Sequence, residues 1–192
     1  MIESERTALA LIALITGVMG FIESMAAVPA GSTALAADAL AFVQHSISAG
    51  FALWATAGTI NRQRWTVQLQ GLTMAILGGL VVIIAVRRFM LGSIPHPSIM
   101  LIIGAMALGA HLTVGAIMLG QRSNQSMNFK ALWQLVQMDA VGNIAVMAAA
   151  VTVALTRSNI PDLVIGGAMA GLFFLSGWRI AVSGRLDAGR TP

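Results

Sequence analysis

The chain reads as an all-α membrane protein, a bundle of six transmembrane helices, and three observations carry that reading. Hydrophobic residues make up 57% of the 192 positions and charged residues only 9%, where a soluble domain has about a quarter charged. Apolar stretches near the roughly 20 residues that cross a bilayer recur six times. Short segments rich in Gly, Pro, Ser, Asn or Arg separate them.

The first stretch, about 8–30, contains Glu23 and ends at Pro29–Ser32. Further runs of similar length follow it, so it reads as a span and not as a cleaved secretory signal. The second, about 33–60, carries Asp38 and His45 and stops at Asn61–Arg64. The third, about 66–86, closes on Arg87, Arg88 and the turn Gly92–Pro97, in which His96 reads as a surface residue. A fourth, about 98–120, holds His111, and Gln121–Ser126 connects it to the fifth, about 129–155, with Asp139 and Asn143. Thr156–Pro161 leads to the sixth, about 162–182, where Gly167 and Gly171 have the spacing that lets two helices approach closely, within the bundle or between two copies. The expected organisation is a single domain over 1–192 with no cytoplasmic domain.

Charge adds topology. Six spans put both termini on one side, together with Arg6, Arg62, Arg64, Arg122, Lys130, Arg179, Arg185 and Arg190, against Arg87, Arg88 and Arg157 opposite. Basic residues favour the cytoplasm, so both termini are expected there, in a cytoplasmic membrane. No basic run exceeds two residues, which argues against nucleic acid as a partner, and the absence of Cys removes disulfides and thiolate metal sites. No HExxH, nucleophile elbow or phosphate loop occurs, so an enzyme is not expected. Trp54, Trp65, Trp133 and Trp178 lie near span ends, as interfacial anchors do, and the 12 Met read as adaptable packing.

Three acids, Glu23, Asp38 and Asp139, fall inside apolar runs, where a charge costs about 2.5–3.5 kcal/mol even on insertion scales. Such groups face a partner, a cavity or the bundle interior. Asp38 and His45 are seven residues apart, which places them within about 20° of one helix face. Asp139 and Asn143, at i and i+4, share a side of the fifth span, with Gln134 and Gln137 one turn away. Imidazole and carboxylate together bind borderline divalent cations or relay protons. Two readings stay open for His111, a cross-helix hydrogen bond or a place on the ion path; Asn143 reads as interhelical glue or a ligand, and Glu23 as a silent buried carboxyl or a proton carrier.

The segment Ser32–Gly50, STALAADALAFVQHSISAG, resembles the second helix of the cation diffusion facilitator family, and Asn128–Ala150, NFKALWQLVQMDAVGNIAVMAAA, resembles its fifth. AVRRFMLGSIPHP at Ala85–Pro97 is similar to the family's link between helices three and four, and PDLVIGGAMAGLFFLSGWRI at Pro161–Ile180 to its sixth helix. The resemblance covers the transmembrane domain and implies a six-helix bundle that exchanges a divalent metal for protons. In the family two residues four apart on each of helices two and five hold the metal; carried over, those positions are Ala41, His45, Leu135 and Asp139. Two of the four are apolar here, so Asp38, Asn143 or Glu23 is expected to complete a remodelled site.

The expectation is therefore a lipid-embedded efflux transporter of zinc, cobalt, nickel, iron or manganese coupled to protons, with no resident cofactor and a possible homodimer. Its metal set is His45, Asp139, Asp38 and Asn143, with Glu23 and His111 on a proton or ion path. The alternative is a non-transporting relative that serves as an interaction or regulatory partner.

Overall fold

The computed structural model describes the backbone of residues 2–55, 60–120 and 127–188, and side chains over 5–55, 65–120 and 139–180. Six helices occupy these segments: α1 (Ile2–Ala30), α2 (Thr33–Ala55), α3 (Ile60–Leu91), α4 (Pro97–Gly120), α5 (Met127–Thr156) and α6 (Ile160–Ala188). No strand occurs among the described residues. Most helices run past the apolar stretches into polar flanks; α2 differs, its described part ending at Ala55.

Helix ends follow from local chemistry. Gly31 and Gly92 close α1 and α3 with positive φ of 68° and 64°, a conformation glycine adopts without a Cβ penalty. Arg157 does the same after α5 at φ 54°, where its N–H donates to the Val153 carbonyl at 2.9 Å. Pro97 stands at the first position of α4, where a missing N–H costs nothing.

Among the described residues five helices are long and apolar enough to cross a membrane, all but α2. α2 is instead enclosed: 15 of its 23 residues are buried, against 6 of 24 in α4. It packs against α1, α3, α5 and α6; α3 pairs closely with α6, and α4 bridges α1 and α5. Large apolar side chains such as Phe21, Ile83, Val141 and Leu155 point outward, as they do where lipid is the solvent. The described tryptophans Trp54, Trp65 and Trp178 are all more than half exposed, the first two within about a turn and a half of a helix end.

The three turns α1–α2, α3–α4 and α5–α6 meet at one end of the bundle. The His96 N–H donates to the Ala30 carbonyl at 2.8 Å, and the Arg88 guanidinium to the Ala27 carbonyl at 3.3 Å. Asp162, from the first turn of α6, caps α2 instead of its own helix. Its carboxylate accepts from the Thr33 N–H at 2.7 Å, the Ala34 N–H at 3.1 Å and the Ser32 hydroxyl at 2.5 Å. Ser32 Oγ in turn accepts from the Leu35 N–H at 3.0 Å. A carboxylate at a helix N-terminus satisfies orphan donors and complements the dipole.

Close helix approach uses glycines other than the predicted pair. A Cβ at Gly166 would lie 2.7 Å from the Thr33 backbone, and one at Gly177 2.7 Å from the Gly71 carbonyl oxygen. Gly167 and Gly171 face open space, because the α6 side they share points away from α2 and α3.

Candidate functional site

The enclosed helix carries the polar groups. On α2, Asp38, Gln44, His45 and Ser48 are all buried. Gln44 donates to Ser48 Oγ at 3.1 Å and to the Gln70 carbonyl at 3.2 Å, which ties α2 to α3. Gln44 Oε1 stays buried without a hydrogen-bond partner; Asp38 and His45 meet partners from α1, α4 and α5 in two separate clusters.

The first cluster joins three helices. His45 Nε2 lies 2.9 Å from Asp139 Oδ2 of α5, and the ring of His111 from α4 stands perpendicular to that of His45 with centroids 5.6 Å apart. One ligand atom from each of His45, His111 and Asp139 falls within 4.8 Å of the other two. Phe42, one turn before His45, stacks on His111 at 4.1 Å and closes the apolar side of the ring. All three are buried, Asp139 the most open at 6% exposed.

The contact between His45 and Asp139 is close without being aligned as a hydrogen bond, so both His45 nitrogens and Asp139 Oδ2 lack a hydrogen-bond partner. His111 Nε2 is likewise unpartnered. Each neutral imidazole keeps one lone pair and one N–H, and unpartnered ring nitrogens beside a carboxylate oxygen in a dry interior form a set that a cation satisfies once lone pairs turn towards it. Ligands about 2.0–2.1 Å from a tetrahedral zinc stand roughly 3.3 Å apart, near the observed His45–Asp139 separation.

Asn143, one turn after Asp139, orients the group. Its amide nitrogen donates to the Asp139 carbonyl at 2.9 Å and approaches His111 Nδ1 to 2.6 Å. A carbonyl only accepts, so the NH₂ end faces both partners and Nδ1 is the acceptor; the neutral ring then carries its hydrogen on Nε2. Asn143 Oδ1 is buried and unpartnered.

The second cluster is made of oxygen alone. Glu23 and Asp38 are both 0% exposed and near enough for their carboxyls to interact, and all four oxygens lack a hydrogen-bond partner. Asp38 also lies in the electrostatic field of Asp139, which links the two clusters along α2.

Of the residues expected to hold metal, His45, Asp139 and Asn143 come together, whereas Asp38 pairs with Glu23. His111, expected only on the path, stands in the first cluster as its third imidazole or carboxylate group. Ala41 is fully buried in an apolar cluster with Met74 and Phe173, facing α3 and α6; Leu135, with Gln134 and Gln137, lies outside the described side chains. The sequence left His111 between a cross-helix hydrogen bond and a place on the ion path. The available signal was a lone imidazole at mid-span, where a polar side chain needs a partner.

The profile of the cation efflux transmembrane domain matches residues 67–187, from α3 through α6. No curated protein matches the chain. The matched region covers well over half of the sequence and contains His111, Asp139 and Asn143, while α1 and α2 precede it. Six helices with an enclosed polar centre and this match make the chain a multi-pass membrane protein that belongs to the cation efflux family, whose members transport cations.

Proposed function

We propose that the protein is a secondary transporter of the cytoplasmic membrane that exports a divalent metal cation in exchange for protons, with both termini cytoplasmic. The observation that carries this reading is the convergence of His45, His111 and Asp139 from three helices, with unpartnered donor atoms inside the bundle. Two imidazoles and a carboxylate suit zinc, cobalt, nickel or iron(II), and manganese less well. Three protein ligands leave a fourth position for water, a loose arrangement that suits cargo that must leave again.

His111 enters the coordination shell by a defined rearrangement. A half-turn of the Asn143 amide, which gives up its bond to the Asp139 carbonyl, presents Oδ1 to an Nδ1–H, so that the ring hydrogen sits on Nδ1 and Nε2 is free for the metal. Glu23 and Asp38 are the proton-carrying pair, since two buried carboxyls without donors are stable only when a proton or cation sits between them. The cation is cargo, and no resident cofactor is required.

The test is metal uptake into proteoliposomes under a proton gradient, comparing wild type with His45→Ala and Asp139→Ala. Uptake should fall to background in both variants; unchanged uptake in both overturns the site. The burial of Ala41 among apolar side chains favours a second reading, a non-transporting member of the family. Titration of the purified protein with zinc, cobalt, nickel, manganese and iron(II) separates the two, because that reading requires no useful affinity for any of them.

A further inference from the structure

Neighbouring helices pair around α2 in the order α1, α4, α5, α6, α3, all but α4 packed against α2 itself, and among the described residues the ring is open between α3 and α1, which do not form a packed pair. In that opening α2 presents Ala36, Ala39 and Leu40 as an apolar floor. Ser24 and Val28 of α1 form one wall and Leu80 and Ile84 of α3 the other, leaving a groove of about 460 Å³ at membrane depth. Its walls offer an elongated chain little except apolar contact.

The end of the groove differs from its length. Arg87 and Arg88 both line it, and they are two of the three arginines on the side of the bundle poorer in basic residues. Arg88 is partly engaged, through the Ala27 carbonyl and the field of Asp162. Arg87 is exposed, and no carboxylate lies within ion-pair distance of it among the described residues. A groove that is apolar through the membrane and cationic at its mouth matches the division of a phospholipid into acyl chain and phosphate.

We propose that the groove between α1 and α3 is a binding site for an anionic phospholipid, with one acyl chain over Ala36 and Ala39 and the phosphate against Arg87 and Arg88. The lipid completes the ring around α2 that α1 and α3 leave open. Because Arg88 also holds the end of α1, the ligand joins the two helices that flank the opening.

The experiment is thermal unfolding of the detergent-solubilised full chain with added phosphatidylglycerol, phosphatidylcholine or inorganic phosphate, together with native mass spectrometry of retained lipid. Phosphatidylglycerol should raise the transition temperature and remain bound, with phosphatidylcholine weaker. Arg87→Gln should weaken phosphatidylglycerol about fivefold, the effect of one membrane-surface charge of about 1 kcal/mol. Ser24→Phe, which narrows the groove and keeps both charges, should reduce retention of both lipids. Equal effects of the two lipids, a preference unchanged in Arg87→Gln, or the same stabilisation by inorganic phosphate alone would overturn the proposal.

Discussion

Two polar clusters share α2, seven residues apart, and they differ in what surrounds their lone pairs. Around His45, nitrogen and oxygen ligands from α2, α4 and α5 meet, and Asn143 holds one imidazole in place through a 2.6 Å contact. Around Asp38 there are only carboxylate oxygens, its own and those of Glu23, with no donor reaching them. A mixed imidazole and carboxylate set selects a borderline metal, whereas an all-carboxylate pair in a dry interior selects protons. On the proposed reading one cluster takes the cargo and the other the coupling ion, about two turns of one enclosed helix apart.

The sharpest way to break this division is to remove a metal ligand. His45→Ala or Asp139→Ala should weaken zinc or cobalt binding at least about 100-fold by calorimetry, since each removes a charged or imidazole ligand from a three-ligand site. The same substitutions should leave the helical far-ultraviolet spectrum intact. An affinity within threefold of wild type in either variant would move the cargo site elsewhere.

Asp162→Ala tests whether the two clusters depend on the same end of α2. It removes a carboxylate that accepts from Ser32, Thr33 and Ala34, and should cost about 2 kcal/mol in reversible unfolding. Metal affinity at His45, more than two turns away, should change little. Asn143→Ala should weaken the metal about tenfold through its effect on His111, as loss of an orienting partner does. Glu23→Gln combined with Asp38→Asn should have the smallest effect on metal affinity, within about twofold. The same pair of substitutions should abolish the dependence of transport on the proton gradient in proteoliposomes. If it abolishes metal binding instead, the carboxylate pair belongs to the cargo site and the division fails.

Much of this was legible in the sequence, and for a simple reason. Lipid exposes no polar group without cost, so six apolar runs translate directly into helices, and the acids inside them had to lie in the interior. Glu23, Asp38, His45, His111, Asp139 and Asn143 are all buried in the structure. The grouping was harder to read. Helical spacing put Asp38 and His45 on one stripe, but it could not tell which neighbour each would meet, so Asp38 was expected beside the metal while it stands against Glu23 of α1. Partner choice depends on which helices adjoin α2, information that resides in interhelical packing. Asp162 shows the same limit. Asp162 stands at the start of the sixth span in the sequence, and the close approach at Gly166 delivers it to the N-terminus of α2. Gly167 and Gly171 have the familiar spacing, but Gly166 and Gly177 make the tight contacts, because the face that meets α2 and α3 is fixed by the whole bundle.

The most direct test of the cargo assignment is a metal-soaked crystal measured at the absorption edge of zinc or cobalt. The account predicts one strong anomalous peak bounded by His45 Nε2, an Asp139 carboxylate oxygen and a His111 nitrogen, about 2.0–2.2 Å from each. A peak between Glu23 and Asp38 with none at His45 would contradict it.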